Sequence, residues 1–163
     1  MPEPHSPFDN GTTWKFKAIQ LPFASNESSG AFSVASRTNN LSADLVVVGG
    51  DYSHPSAAGF AVFLPGKQRL IFGTKSMTAA TTPPHGFRSA VAYDAPTKTW
   101  ITVGPNGTDI STDDGRNWHP LTPSKDEPAD ADKHWNALSL PYVVGPHGRI
   151  ATLNPSALAP ASK

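Results

Sequence analysis

The stretch ITVGPNGTDISTDDGRNW, residues 101–118, carries the signals that decide the fold. An apolar run ends on Gly104, a Gly-Pro-x-Gly turn follows, and a second strand-like run leads to paired acids, a glycine and a tryptophan. Its opening phrase occurs twice more, as VVVGG at 46–50 and YVVGP at 142–146. Another β-like run precedes each copy, so a self-similar unit of antiparallel strands repeats along the chain.

The composition agrees with an all-β chain. The 163 residues include 17 Pro and 13 Gly, and no window has a convincing 3.6-residue apolar period. Lys plus Arg and Asp plus Glu both number 13, so no net field favours nucleic acid or an anionic membrane. We see neither an apolar run long enough for a bilayer nor a signal peptide, and we expect a soluble protein. The lack of Cys excludes disulfides and thiolate metal sites.

The strand-like runs fall into successive groups, in which we label the strand positions A to D. A single D strand lies in 1–22, and full units lie in 31–73 and 87–122. Three strands lie in 134–153, before a tail at 154–163. The predicted strands after the first are 31–38, 44–50, 59–64 and 68–73; 87–95, 99–104, 107–112 and 117–122; and 134–140, 141–145 and 148–153.

The turn before the last strand of the second unit matches a known pattern. STDDGRNW at 111–118 fits S-x-D-x-G-x-x-W and resembles the Asp-box of bacterial neuraminidase-type (BNR) repeats; PFDNGTTW at 7–14 is a degenerate copy. Together with VVVGGDYSHP and HWNALSLPYVVGPHGRIATL, this makes nearly all of 7–154 similar to the C-terminal part of bacterial BNR-repeat β-propellers. Those proteins are related to the photosystem II stability/assembly factor and are often labelled oxidoreductases.

The resemblance implies a fold and hardly any activity, because propellers host many unrelated functions. It implies four-stranded blades, with strands A to D running from the axis outward, in which the Asp-box forms the C–D turn. Three blades cannot close a ring, so we expect a half propeller that closes by homodimerisation into a six-bladed ring. In that ring, residues 1–22 complete the last blade of the other copy. The alternative is that the chain is a piece of a longer propeller.

The motif itself is interpreted as architecture rather than chemistry. We expect Asp113 to accept hydrogen bonds from its own turn, Gly115 to supply a positive φ, and Trp118 to pack between sheets. Asp114 is expected to be a solvated turn residue. The structural Asp-box residues are Ser111, Asp113, Gly115 and Trp118, with Asp9, Gly11 and Trp14 in the degenerate copy.

Candidate chemistry lies on the opposite face, where the B–C and D–A turns meet. Four histidines map there, together with several acids and Arg88. The segment DADKH, if extended, would project two carboxylates and an imidazole to one side, within reach of a divalent ion such as zinc. The candidate metal ligands are His54, His85, His134, His147, Asp130 and Asp132; the candidate catalytic residues are Arg88, Asp51 and His134.

Each candidate has a plainer alternative. The acidic segment is alternatively a solvated loop, and Arg88 is either a bidentate grip on a phosphoryl or carboxylate oxygen or an inter-blade hydrogen-bond donor to loop carbonyls. A sialidase is disfavoured because only three Glu occur, all in predicted loops or the tail. Redox activity and a serine hydrolase elbow are disfavoured because neither G-x-G-x-x-G nor G-x-S-x-G is present.

Two functions follow from these residues. The first is a self-associating binding or assembly module that holds a peptide or small-molecule ligand at the His/Asp/Arg-lined face. The alternative is a metal-dependent hydrolase of esters or phosphoesters, in which a bound metal ion would supply hydroxide at neutral pH. Neither nucleic acid nor a membrane is an expected partner.

Overall fold

The computed structural model describes residues 21–23, 26–39, 42–66 and 77–158. These ranges contain eleven β-strands and two single-turn 3₁₀ helices, Pro146–Gly148 and Pro155–Leu158. The strands are β1 Ser29–Asn39, β2 Ser42–Asp51, β3 Phe60–Leu64, β4 Thr78–Ala79, β5 Ala90–Asp94, β6 Thr99–Gly104, β7 Gly107–Ser111, β8 His119–Leu121, β9 Ala137–Ser139, β10 Tyr142–Val144 and β11 Ile150–Thr152. Nowhere in these ranges does a helix have the length and apolar character needed to cross a membrane.

The strands form three antiparallel meanders, each built from consecutive strands. The first sheet is β1-β2-β3-β4, the second is β5-β6-β7-β8 and the third is β9-β10-β11. The prediction of an all-β chain with repeated small sheets is confirmed, and β6 has the predicted bounds. The predicted strand at 68–73 and all but the end of the one in 1–22 lie outside the described residues. Beside β3, the described strand is β4, which lies after 68–73 in the chain.

The repeated phrase has a glycine in all three sheets for the same physical reason. A Cβ on this glycine would lie about 2 Å from a backbone carbonyl oxygen in, or just before, the first strand of the same sheet. This distance is shorter than any real Cβ contact. The distances are 1.9 Å from Gly49 to Gly30 O, 2.2 Å from Gly104 to Phe87 O and 2.2 Å from Gly145 to His134 O. Only glycine lets the two backbones approach so closely.

The sheets stack in chain order through their apolar faces. Between the first and second sheets lie Val46, Val48, Ala61, Phe63, Val91, Trp100 and Trp118. Between the second and third lie Ala90, Val103, Trp135 and Val143. The other face of the first sheet carries a separate cluster of Val47, Val62, Leu64 and Met77. The second sheet is therefore buried on both faces, and the first and third are the ends of the stack.

The two sheet junctions share a backbone hydrogen bond. Arg88 N–H donates to Gly49 O at 3.2 Å, and Trp135 N–H donates to Gly104 O at 3.3 Å. Gly49 and Gly104 occupy the same position of the repeated phrase, and both donors lie two residues before the first strand of the next sheet. The third sheet therefore docks on the second as the second docks on the first.

The turn at 111–118 is held by hydrogen bonds within itself. Asn117 donates its backbone N–H to Asp113 Oδ1 at 2.9 Å and its amide to Oδ2 at 2.7 Å. Ser111 Oγ donates to Asp113 Oδ1 at 2.8 Å. Gly115 has φ 80°, and Trp118 is fully buried between the sheets. The predicted roles of Asp113, Gly115 and Trp118 are confirmed, whereas Asp9, Gly11 and Trp14 lie outside the described residues.

The prediction for Asp114 was incomplete. Its side chain is nearly half exposed, but its carboxylate accepts a 2.6 Å hydrogen bond from Arg37 of the first sheet. Arg37 also pairs with Asp44 and lies over the ring of Tyr93, 5.2 Å from its centroid. Burial by itself lowers the pKa of Arg37, but hydrogen bonds to Asp44, Tyr93 and Asp114 outweigh it and raise the pKa above its usual value. Asp114 therefore ties the turn of one sheet to the strand of another.

We predict that Gly49→Ala lowers the free energy of unfolding by about 1–3 kcal/mol or more, because the new methyl group collides with Gly30 O. Gly30→Ala is the matched control, since its methyl would meet only the Phe32 ring, at 3.8 Å. Urea unfolding followed by tryptophan fluorescence measures both. Equal stabilities for the two variants would contradict the close-approach explanation.

We also predict a pH dependence from Asp113. Burial by itself raises the pKa of Asp113, but hydrogen bonds from Asn117, Ser111 and the Arg116 backbone outweigh it and hold the pKa below its usual value. A carboxyl with a lowered folded pKa stabilises the protein above its unfolded pKa of about 3.9 and loses that contribution as the pH falls through the folded value.

The test compares wild type with Asp113→Asn, which does not titrate. The wild-type advantage in urea unfolding should be constant above about pH 5 and should shrink below about pH 4. An advantage that stays constant down to about pH 2 would show that Asp113 contributes no titrating stability.

Candidate functional site

Loops from all three sheets meet along one edge of the stack, named here the loop face. It consists of the connections 52–59, 105–106 and 145–149 within sheets, and 80–89 and 122–136 between sheets. Backbone hydrogen bonds join them: Phe87 N–H donates to Pro55 O at 2.9 Å, and His134 N–H donates to Pro105 O at 2.9 Å. The predicted candidate residues all lie at this edge.

The centre of the loop face is a buried ion pair between Arg88 and Asp109. Their side chains are 1% and 0% exposed. The Arg88 guanidinium donates Nε–H to Asp109 Oδ2 at 2.8 Å, and its Nη2 donates to the same oxygen. Nη1 donates to Phe87 O at 3.0 Å and to Asn106 Oδ1 at 2.7 Å. These acceptors enclose the guanidinium, which gives Arg88 a structural role, but its main partner is the Asp109 carboxylate of the same sheet rather than loop carbonyls of a neighbouring sheet.

The same carboxylate orients His85. Its Nδ1 lies 2.7 Å from Asp109 Oδ1, and its backbone N–H donates to Oδ2 at 3.2 Å. A carboxylate can only accept, so we assign the proton of this contact to Nδ1. The imidazole side chain is 53% exposed, which leaves Nε2 as the ring nitrogen free to meet a ligand. The loop face thus presents a histidine whose tautomer and orientation are held by buried groups.

Asp109 was not a predicted site residue. Its signal in the sequence was a carboxylate inside the strand-like run GTDIS. A buried carboxylate needs a partner, and Arg88 in the same unit was the available cation. The distance between them depends on the strand register, which the sequence does not show.

A second carboxylate–histidine pair stands on the neighbouring loop. His54 Nδ1 lies 3.1 Å from Asp51 Oδ2, and Asp51 Oδ1 accepts from Ser28 Oγ at 2.7 Å and Ser53 N–H at 2.9 Å. These hydrogen bonds, that of Ser28 first, hold the pKa of Asp51 well below its usual range. His54 is largely exposed, so this pair is an ordered turn at the rim of the loop face.

The predicted DADKH metal site does not form. The segment folds as turns rather than an extended strand, with Ala131 N–H donating to Pro128 O and Lys133 N–H donating to Asp130 O, both at 2.9 Å. The extended geometry that would have projected the three side chains to one side is therefore absent. Within residues 21–23, 26–39, 42–66 and 77–158, no group of three or more His, Asp or Glu could hold a metal ion.

The individual residues of that prediction have other roles. Asp130 pairs with Arg149 at 2.7 Å, and this cation lowers the pKa of Asp130. The Asp132 backbone carbonyl accepts from Thr108 Oγ1 at 2.8 Å. His134 and His147 both have positive φ, 62° and 56°, in turns of the loop face. Of the expected catalytic set, Arg88 pairs with Asp109 and Asp51 with His54, and the His134 backbone N–H donates to Pro105 O.

A cavity of about 310 Å³ opens between the second and third sheets, and we call it the intersheet cavity. Its volume is at the lower end of the range for ligand pockets, roughly 300–1,000 Å³. One polar atom stands out, because Asp132 Oδ1 is buried without a hydrogen-bond partner in the described part of the chain. The lining is mostly apolar and includes Ile101, Val103, Leu121, Trp135, Leu138 and Val143.

We predict that the Arg88–Asp109 pair is strongly coupled. Asp109→Leu should lower the free energy of unfolding by about 3–5 kcal/mol, since it leaves Arg88 as a buried, uncompensated charge. Adding Arg88→Met should recover much of that loss, because the second change removes the stranded cation.

Urea unfolding of the two single variants and the double variant measures the coupling. Asp130→Asn is the control, because its ion pair with Arg149 is partly exposed and the urea midpoint should hardly move. Additive effects of the Arg88 and Asp109 changes would contradict the buried pair.

Comparison with known proteins leaves the function to be argued from this geometry: no protein-family model matches the chain, and neither the curated proteins nor the solved structures include a significant match.

Proposed function

We propose that the chain is a self-associating binding module, half of a β-propeller that closes with a second copy and presents a ligand site on its loop face. The observation that carries the proposal is the outward face of the third sheet. It exposes Tyr142, Val144 and Ile150, which are 55%, 40% and 67% accessible. Exposed large apolar side chains grouped on one sheet face are typical of an interaction surface.

The repeated phrase supports this interpretation of the face. Val48, Val103 and Val144 each precede the glycine of the phrase. Val48 packs toward the second sheet and is 0% exposed; Val103 packs toward the third and is 2% exposed. Val144 has the equivalent position in the third sheet, with Ile150 paired beside it. The third sheet thus carries the face that the other two use to bind a following sheet.

The complementary face lies at the other end of the stack. Val34 pairs with Val47, as Val91 pairs with Thr102, so Val34 and Val91 are equivalent. Val91 is buried against the preceding sheet, whereas Val34 is 61% exposed. A first sheet can therefore cover a third sheet as the second sheet covers the first.

Two copies satisfy both ends at once. Under a two-fold axis, the third sheet of each copy meets the first sheet of the other, and neither end face stays exposed. Three sheets from each chain make six, within the usual range of about four to eight blades. The resemblance to BNR-repeat propellers supports the same arrangement.

The ligand site is placed at His85 because its imidazole is oriented by Asp109 and open to solvent. With the single ring proton on Nδ1, Nε2 accepts a hydrogen bond from a peptide or a small polar molecule without having to be ordered first. A metal-dependent hydrolase is the second hypothesis, and the carboxylate-held imidazoles of His54 and His85 are what favours it. Binding ranks first because the described residues do not supply a third ligand.

We predict a native mass about twice the 17.2 kDa of the chain by light scattering at micromolar concentration. Ile150→Lys should shift the protein to monomer, because it places an ammonium in an apolar junction. His119→Lys is the matched control on an exposed position of β8 and should remain a dimer. A wild-type monomer at every concentration up to about 100 µM would overturn the proposal.

The head-to-tail geometry makes a further prediction. Val34→Lys should dissociate the dimer as Ile150→Lys does, since it alters the other half of the same junction. An equimolar mixture of the two variants should regain dimer, because one of the two junctions is then free of lysine. A mixture that stays as monomeric as each variant alone would contradict this geometry.

A further inference from the structure

The intersheet cavity has the same position between the second and third sheets as the Trp118 side chain has between the first and second sheets. Trp118 packs against Val48 and Ala61 of the first sheet, which pair with each other. The equivalent pair in the second sheet is Val103 and Thr108. Both of these residues line the intersheet cavity. One wall of the cavity is therefore the second-sheet equivalent of the first-sheet wall against which Trp118 packs.

The opposite wall repeats as well. Trp118 also packs beside Val91 of the second sheet, whose strand partner Thr102 is the middle residue of the repeated phrase. In the third sheet, the middle residue Val143 pairs with Leu138. Leu138 and Val143 both line the cavity. Each side of the Trp118 site has its counterpart here, and a side chain equivalent to Trp118 would come from a strand beyond β11.

The chemistry of the cavity suits an indole. An indole is a large apolar ring system with a single N–H donor and no acceptor. The cavity is mostly apolar, and its lining residues include Asp132, whose Oδ1 is a buried acceptor without a hydrogen-bond partner among the described residues.

We propose that the intersheet cavity receives the Trp14 indole of a second copy of the chain. The proposal rests on the self-association proposed above, and it names the contact that locks the ring. Trp14 ends the segment PFDNGTTW, as Trp118 ends STDDGRNW, so the two side chains follow similar turn sequences. The strand that would carry Trp14 is then the fourth strand of the other copy's third sheet.

The positions of Leu21 and Phe23 indicate that the indole in the cavity comes from a second copy of the chain. Phe23 stacks on Phe60 with ring centroids 3.9 Å apart, and Leu21 packs against the cluster around Val47 and Val62. Both residues therefore lie on the outward face of the first sheet. In the proposed ring this face meets the other copy's third sheet, so the chain before Leu21 starts next to β11 of that copy.

A photo-crosslinker at position 14 tests the contact directly. The aromatic p-benzoylphenylalanine replaces Trp14, and equal amounts of ¹⁵N-labelled and unlabelled chain are mixed, irradiated and analysed by mass spectrometry. We expect labelled–unlabelled adducts that map to the cavity wall between residues 101 and 154. Adducts confined to a single chain, or adducts on any other surface, would overturn the assignment.

Substitutions test the energetic contribution. Trp14→Ala should raise the dimer dissociation constant about thirtyfold or more, as expected for an interfacial tryptophan, with Trp14→Phe intermediate. Ala151→Trp, which fills the cavity from its own wall, should weaken the dimer similarly. Ala57→Trp, on an exposed loop, is the matched control and should not. Circular dichroism of each variant checks that the sheets are retained.

The outcomes separate the two proposals. A wild-type dimer that tolerates Trp14→Ala with less than a threefold change overturns the Trp14 contact and leaves self-association intact. A wild type that is monomeric throughout overturns both. A dimer that is weakened by Trp14→Ala and by Ala151→Trp, but not by Ala57→Trp, supports both.

Discussion

The structure depends on one constraint: each sheet is apolar on both faces. A sheet that buries one face against a neighbour therefore still has a second apolar face to bury. In the first sheet, Val46 and Val48 point one way and Val47 and Val62 the other, and all four are buried. Antiparallel sheets commonly keep one face in water, whereas a sheet inside a stack has both faces covered by its neighbours. The second sheet satisfies the constraint completely. The stacking order, the Trp118 site and the open face of the third sheet all follow from it.

Much of this architecture was predictable from local sequence. Apolar runs that end on glycine located the second strand of every sheet, because Gly49, Gly104 and Gly145 are required wherever two backbones approach closely. The role of Asp113 was predictable because its partners lie within four residues. The Arg88–Asp109 pair was not, since it depends on strand register across 21 residues. The DADKH prediction was wrong because turn hydrogen bonds replaced the assumed extended backbone.

The loop face combines fixed charges with exposed imidazoles. Asp109 serves Arg88 and His85 at once, so the carboxylate that neutralises a buried cation also sets the direction of an exposed ring. Asp51 does the same for His54 through hydroxyl and backbone donors rather than a cation. Such support makes a surface histidine a rigid contact, which favours recognition because little side-chain entropy is lost on binding.

The meander topology has a consequence for how the molecule assembles. Every sheet pairs strands that are neighbours in sequence, so each can form through local contacts at a rate independent of protein concentration. Covering the end faces in the proposed ring is instead a bimolecular step, and its contribution to stability grows with the amount of protein. Dilution would then leave the exposed apolar side chains of the two end faces in water, namely Val34 on the first sheet and Tyr142, Val144 and Ile150 on the third. The overall stability of the protein would then depend on its concentration in the cell more than on the stability of any single sheet.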